Sequence, residues 1–349
     1  MKMTFGVLLG HQSLLPRPED LNRLGDLVAL AEDAGVAAIG TYDTTFIGGD
    51  AFVRATLLAT LAKRARVGLR PTNTLTREPQ VMAGFAASLD SLTGGRAFLD
   101  IASGDSAVYN IGLKPAPRSR IEAYIECVRG LLRDGESTFE GRPQAVRWHR
   151  QAVRPAVPIS ICAEGPRMLH LAGRIADGVI AGTGLSPDVV ADTISRVQAG
   201  ALAEGRDRDA CEIWFTTRSS LDKDRDFAIQ DVHGSVSSIL NHAMRFGLEG
   251  KSVPGQLKAK VQEYVDGYVL YEHVQNKGEN PRRMQALGLT EYALDRFALA
   301  GDPKDWIRRI EGFADAGIER IWFSPAHNDL ERQHHELTLF RDEIAPHFQ

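Results

Sequence analysis

Short apolar runs along the 349-residue chain repeatedly end in small or polar residues. His11 follows the first, Tyr42 and Asp43 the second, and Pro71, Thr72 and Asn73 the third. Ser103, Gly104, Asp105 and Ser106 follow the next, then Glu164 and Gly165, Gly182 to Gly184, Thr217 and Arg218, and Ser324 and Pro325. A histidine at such a place is a candidate general acid or base near pH 7, or else a loop side chain bonded locally. Asp43 and Asp105 are candidate acids that also suit helix capping or pairing with an arginine. His233, in Asp231-Val-His-Gly, stands with His11 and Asp43 as a third candidate catalytic group. The Gly165-Pro166-Arg167 step fits the start of a helix, whose free N–H groups and dipole seat an anion, with Arg167 adding charge. Gly182-Thr183-Gly184 makes a second small-residue turn beside it.

Other chemistries are excluded by what is missing. No Gly-x-Ser-x-Gly elbow or His-Glu-x-x-His pair occurs. Cys127, Cys162 and Cys211 are too widely spaced for a disulfide framework or structural zinc, which points to a reducing cytoplasm and no metal site. Cys162 reads as a small buried strand residue rather than a nucleophile. A net charge of −4, with 41 basic against 45 acidic residues, supplies no basic field for nucleic acid or an anionic membrane. The N-terminal apolar run is too short for a signal peptide, and no span-length apolar stretch occurs.

The elements that must position these groups alternate between strand and helix. Strands are expected at Thr4–Leu9, Ala37–Tyr42, Arg66–Pro71, Ala97–Ala102, Val157–Cys162, Gly178–Ala181, Cys211–Thr217 and Arg320–Phe323. Helical periods lie between them, one running from Pro79 to Leu92 and stopped by Gly94-Gly95. Eight strand-helix pairs predict a (β/α)8 barrel, about 250 residues plus insertions, so residues 1–349 are expected to form one domain. The spacing breaks at 221–299, expected to be a helical insertion and lid after strand seven, with helices at Phe227–Phe246 and Gln256–Gln275. A doubly wound sheet would want a Gly-rich turn after strand one, which Gly10-His11-Gln12-Ser13 does not provide. In a barrel the site lies at the C-terminal strand ends, where the polar residues above fall.

Four segments, taken in order, resemble the bacterial-luciferase-like family. They are Asn73-Thr-Leu-Thr-Arg-Glu-Pro79, Leu89-Asp-Ser-Leu-Thr-Gly-Gly-Arg96, Ser103-Gly-Asp-Ser-Ala107, and Gly165-Pro-Arg-Met-Leu-His-Leu-Ala-Gly-Arg-Ile-Ala-Asp-Gly-Val179. The family holds FMN-dependent monooxygenases and deazaflavin-dependent reductases and dehydrogenases. The resemblance implies that Thr72 and Asn73, and Ser103, Gly104 and Asp105, edge a flavin or deazaflavin ring. It places Glu164, Gly165, Pro166, Arg167 and Met168, with Gly182, Thr183 and Gly184, along the cofactor toward its phosphate. It further implies a cis peptide at the end of strand three, where this chain has Arg70-Pro71. Without an evident basic cluster for a polyglutamylated tail, the favoured expectation is a two-component monooxygenase. It would take reduced FMN from a transient flavin reductase and use O2 on a small organic substrate. Deazaflavin-dependent hydride transfer is the alternative, and a homo-oligomer, dimer or tetramer, is expected.

Overall fold

The computed structural model describes residues 2–9, 17–273, 275–327 and 329–348. Its strands are β1 (Thr4–Leu8), β2 (Ala38–Thr41), β3 (Arg66–Asn73), β4 (Ala97–Ala102), β5 (Glu136–Phe139), β6 (Arg142–Ala145), β7 (Ile159–Ala163), β8 (Gly178–Ala181), β9 (Glu212–Leu221), β10 (Ala298–Gly301) and β11 (Arg320–Pro325). Eight of them close a parallel barrel in the order β1-β2-β3-β4-β7-β8-β9-β11, with β11 returning to β1. This is the (β/α)8 barrel that the strand-helix alternation predicts. β5 and β6 form a separate antiparallel hairpin, outside the eight expected strands.

Apolar alternation explains why these segments take up the barrel. On β11, Ile321 and Phe323 face the outer core under the helices, while Trp322 between them joins Phe98, Trp214 and Ile180 inside. Glycines on three strands make room for this plug. A Cβ on Gly6 would come within 2.6 Å of the Trp322 ring, and one on Gly68 within 2.0 Å of the Phe98 carbonyl oxygen. Trp214 and Trp322 meet with ring centroids 5.5 Å apart, a contact type worth about 0.5–1.5 kcal/mol beyond its buried area. The floor of the barrel is therefore solid, and only its C-terminal mouth can receive a ligand. The helix Pro79–Thr93 ends as expected, Gly94 taking φ +65° and donating to Asp90 and Ser91 carbonyls.

At the mouth, β3 departs from regular pairing. The Arg70–Pro71 peptide is cis, as the resemblance implies, and the β3–β4 register shifts between Leu69 and Thr72. β9 is longer than expected and runs on to Leu221, where its end pairs with β10 at Ala298–Gly301. β10 is not among the expected strands, because residues 221–299 are expected to be helical and Ala300-Gly301-Asp302-Pro303 reads as the opening of the next helix.

Between β9 and β10 the chain is helical, with helices Arg225–Asp231, His233–Met244, Lys258–Asp266, Glu279–Ala286 and Thr290–Phe297. They bury a second apolar cluster of their own, including Val236, Leu240, Tyr264, Met284 and Phe297. The expected helix Phe227–Phe246 is broken at Val232, next to Asp231, which takes bonds from Ser220, Asn276 and His327. The expected helix Gln256–Gln275 stops at Asp266. No helix among the described residues is long and apolar enough to cross a membrane.

Candidate active site

The early strand ends brace one another. Thr72 donates from Oγ1 to Asp43 Oδ2 at 2.8 Å, and the Arg77 guanidinium stands 3.6 Å from Asp43 Oδ1. Asp43 N–H also donates to the Pro71 carbonyl at 2.9 Å. Asp43, expected as a catalytic acid, is thus buried and committed to holding β2 against the irregular end of β3. Asn73 folds its Oδ1 back onto the N–H groups of Leu75 and Thr76, both at 2.9 Å, and leaves its buried Nδ2 without a partner. On β4, the Ser103 carbonyl accepts from Ala116, while Gly104 takes φ +101° with no room for a Cβ beside Val108.

The ends of β4 and β7 meet at an imidazole that comes from the inserted helices. His242 donates from Nδ1 to Asp105 Oδ2 at 2.7 Å and from Nε2 to Glu164 Oε1 at 3.0 Å. Arg245, one turn further on, donates to the other oxygen of Asp105 and lies over the Tyr109 ring at 5.5 Å. Burial works against ionising any of these groups, but the mutual pairing outweighs it. Asp105 is held well below the usual carboxylate range by His242 and Arg245, and Glu164 is lowered chiefly by His242. His242 is driven to about 9 against its own burial by Glu164 and Asp105, so near neutrality it is an imidazolium. Gly182 is what lets Glu164 through, because a Cβ there would sit 3.0 Å from Glu164 Cγ.

A narrow cleft runs from Glu164 past Gly165 and Pro166 to Thr183, Lys251 and Ser252. Gly165 is the N-cap of the helix Pro166–Ile175, with Pro166 in its first turn. Arg167, expected to supply charge here, is exposed and makes no hydrogen bond or ion pair among the described residues. Met168 packs against the main core instead of lining the cleft. The cation in this cleft is Lys251, pushed down to about 8 by burial, with Glu164 acting in the opposite direction. Arg296 fixes the wall, donating twice to the Thr183 carbonyl at 2.8 and 2.9 Å and on to the carbonyls of Lys251 and Ser252. Gly184, at φ +123°, is required because a Cβ would strike the Arg296 side chain.

Of the expected residues, Asp105, Glu164, Gly165, Pro166, Gly182 and Thr183 are thus gathered on one side of the mouth, and Asp43, Thr72 and Asn73 on another. His11 lies outside the described residues. His233 begins the helix that ends near His242, about 13 Å away along the axis, so the two cannot serve the same point. It is half-buried, has no partner among the described residues, and is lowered by burial alone. Sequence reasoning missed His242, Arg245, Lys251, Arg296 and His273, all in the insertion. His273, which accepts from the Tyr268 hydroxyl at 2.8 Å, is pushed down to about 4 by burial and is neutral. The His242-x-x-Arg245 spacing, which puts both on one helical face, was the available signal.

The closed parallel barrel carries its ionised cluster at the C-terminal mouth, where barrels of this kind hold their active sites. The chain belongs to the luciferase-like monooxygenase family, whose profile it matches over residues 3–320. It is 26% identical to the 5,10-methylenetetrahydromethanopterin reductase of Methanopyrus kandleri, across 100% of this chain and 99% of that one. It is 27% identical to an F420-dependent glucose-6-phosphate dehydrogenase of Nakamurella multipartita, across 93% of this chain and 92% of that one. Among solved structures, the coenzyme F420 dependent tetrahydromethanopterin reductase of Methanopyrus kandleri superposes with a TM-score of 0.77 at 24% identity, each chain covered completely. These relatives overturn the expectation of a monooxygenase fed with reduced FMN, since they are named as reductases and F420-dependent dehydrogenases. The absence of an evident basic cluster in the sequence was therefore a poor guide to the cofactor.

Proposed function

We propose that this protein is a deazaflavin-dependent oxidoreductase, using coenzyme F420 to exchange a hydride with a small organic substrate at the barrel mouth. The observation that carries the reading is the match, over nearly the whole chain, to relatives named for such reactions. The residues present suit the cofactor. The unpartnered Asn73 Nδ2 offers a buried donor at the ring edge, and the cleft from Gly165 to Lys251 offers N–H groups and a cation for a phosphate. When bound, the deazaflavin supplies the carbon that gives or takes the hydride.

The chain's own groups position the reactants and hold the proton. Asp105 and Glu164 stay ionised and fixed because His242 lies between them, each bond charge-assisted. His242, charged up to about pH 9, holds a proton at Nε2 against Glu164 rather than standing ready as a free base. Tyr268 and His273, bonded to each other, stand within electrostatic range of the same cluster, and burial holds His273 neutral. Titrating the full-length protein with F420 and with FMN, each oxidised and reduced, tests the reading by absorbance and fluorescence. F420 should bind and the bound form should exchange hydride with substrate anaerobically; binding of FMN but not F420 would refute the proposal.

A further inference from the structure

Arg218 stands in the barrel mouth without a use in anything described above. On β9, Phe215 and Leu221 face the outer core and Trp214 faces the interior, so Arg218, four residues from Trp214, points inward above the aromatic plug. It is half-buried, yet it donates no hydrogen bond and forms no ion pair among the described residues. A guanidinium carries five donors, and leaving it so in a partly dry site is costly unless something else accepts from it.

The neighbours share the deficit. Ser324 pairs with Arg218 in the β9–β11 register and lies on the same face as Trp322, hence inward. Its buried Oγ also lacks a partner. One layer down, Arg70 has an unpartnered Nε, and its nearest carboxylate, Asp100, is 3.9 Å away. Burial pushes the Asp100 carboxyl up to about 6, which leaves Arg70 only weakly neutralised near pH 6. Glu164, which also acts on Arg218, is already engaged by His242. The mouth thus holds Arg70, Arg218, Arg245 and His242 against Asp100, Asp105 and Glu164, an excess of positive charge with idle donors.

We infer that Arg218, with the Ser324 hydroxyl beside it, is a seat for an oxyanion of the ligand: a carboxylate or phosphate on the substrate, or the anionic edge of the cofactor ring. The inference rests on the hydride-transfer reading above and names the charge class of the molecule that this site accepts. Arg is suited to it because its planar fork meets two oxygens at once. Burial and the Arg70 charge, which bring Arg218 down to about 10, still leave it a cation at neutral pH.

The test uses the full-length protein, with inorganic phosphate as the probe in the presence of saturating F420, followed by tryptophan fluorescence or calorimetry. If the seat serves the substrate, phosphate binds the wild type, Arg218→Met weakens it about ten- to a hundredfold, Arg218→Lys recovers part of the loss, and F420 affinity is unchanged. If it serves the ring, Arg218→Met lowers F420 affinity by a similar factor while phosphate fails to bind the wild type; either result supports the seat. Equal affinities of wild type and Arg218→Met for both molecules would overturn it. Thermal melts separate this from a structural role: removing an unpartnered cation beside Arg70 should leave Tm equal or higher, and a lower Tm with unchanged affinities counts against the seat. Should F420 not bind the wild type at all while phosphate binding still depends on Arg218, the seat stands and the deazaflavin reading falls.

Discussion

The two sides of the barrel mouth are built on different principles. At the ends of β2 and β3, the polar groups satisfy one another within the barrel: Asp43 is bonded by Thr72, and Asn73 Oδ1 takes the N–H groups of its own turn. At the ends of β4, β7 and β9, the barrel presents Asp105, Glu164 and Arg218, and the counter-charges of the two carboxylates arrive from the inserted helices, as His242 and Arg245. A second histidine joins the insertion to the barrel in the same way. His327, beyond β11, donates from Nδ1 to Asp231 at 2.5 Å and from Nε2 to Glu336 at 3.2 Å, and is pushed up to about 9 by these two carboxylates against its burial. One side of the mouth is therefore a frame, and the other is a docking joint held by two imidazolium ions.

The largest effect should come from breaking the barrel interior on which both sides rest. Trp322→Ala removes the side chain around which Gly6, Gly40 and the Trp214 contact are arranged, and should cost about 3–5 kcal/mol in chemical unfolding. Hydrogen exchange should then rise in barrel and insertion together. A loss confined to the insertion would show that the aromatic plug does not support the barrel.

Breaking the joint should be more local. His242→Ala leaves Asp105 and Glu164 without the cation between them, a change of the kind that costs about 3 kcal/mol when one partner of a buried ionic cluster is removed. Exchange should accelerate in residues 225–297 while β1 to β4 keep their protection. Uniform acceleration would mean that insertion and barrel unfold as one unit.

The same joint sets a pH window. Both histidines have folded values near 9, above the ordinary 6.5, so their stabilisation is complete below about pH 6.5 and is lost as pH rises through about 9. Asp105 and Glu164 are lowered, so their contribution is present above the ordinary carboxylate range and is lost only as pH falls through their depressed values. Protection of the insertion should accordingly fall as pH rises from about 6.5 to about 9, a range in which the early strands, tied without histidine, stay unchanged. Exchange measured across that range, corrected for its intrinsic rate, would reveal a flat profile if the histidines were not the fasteners.

This division also governs what could be read from the sequence. The strands of the frame announce themselves as apolar runs, and the Pro71, Thr72 and Asn73 cluster, with its cis peptide, is local in the chain. The resemblance to the family likewise rests on segments between residues 73 and 179, where Asp105 and Glu164 lie. The joint is not local. His242 is 137 residues from Asp105 and 78 from Glu164, and nothing in an amphipathic helix says which strand ends its polar edge will meet. The expected helix Phe227–Phe246 contains both His233 and His242, and nothing along it but the spacing to Arg245 singles out His242. His327 lay two residues beyond Pro325, just outside the strand-end positions singled out after β11.

The smallest effect belongs to the cleft, and it places the two sides in direct competition. The barrel side offers the N–H groups at the start of Pro166–Ile175 and the exposed Arg167, and the insertion offers Lys251. Lys251 Nζ donates to the Ala243 carbonyl at 2.5 Å, which holds the ammonium inside the cleft, and Arg296 fixes the neighbouring backbone. Lys251→Ala should therefore weaken F420 about tenfold, near the 1.4 kcal/mol of one charge-assisted bond, whereas Arg167→Ala should change it less than about twofold, in keeping with a screened surface charge. Because burial brings Lys251 down to about 8, affinity in the wild type should decline as pH rises through that value, and the decline should vanish in Lys251→Ala. If Arg167→Ala proves the more damaging of the two and the pH dependence survives without Lys251, the phosphate is held by the barrel helix and its arginine, and the insertion contributes nothing to that end of the cofactor.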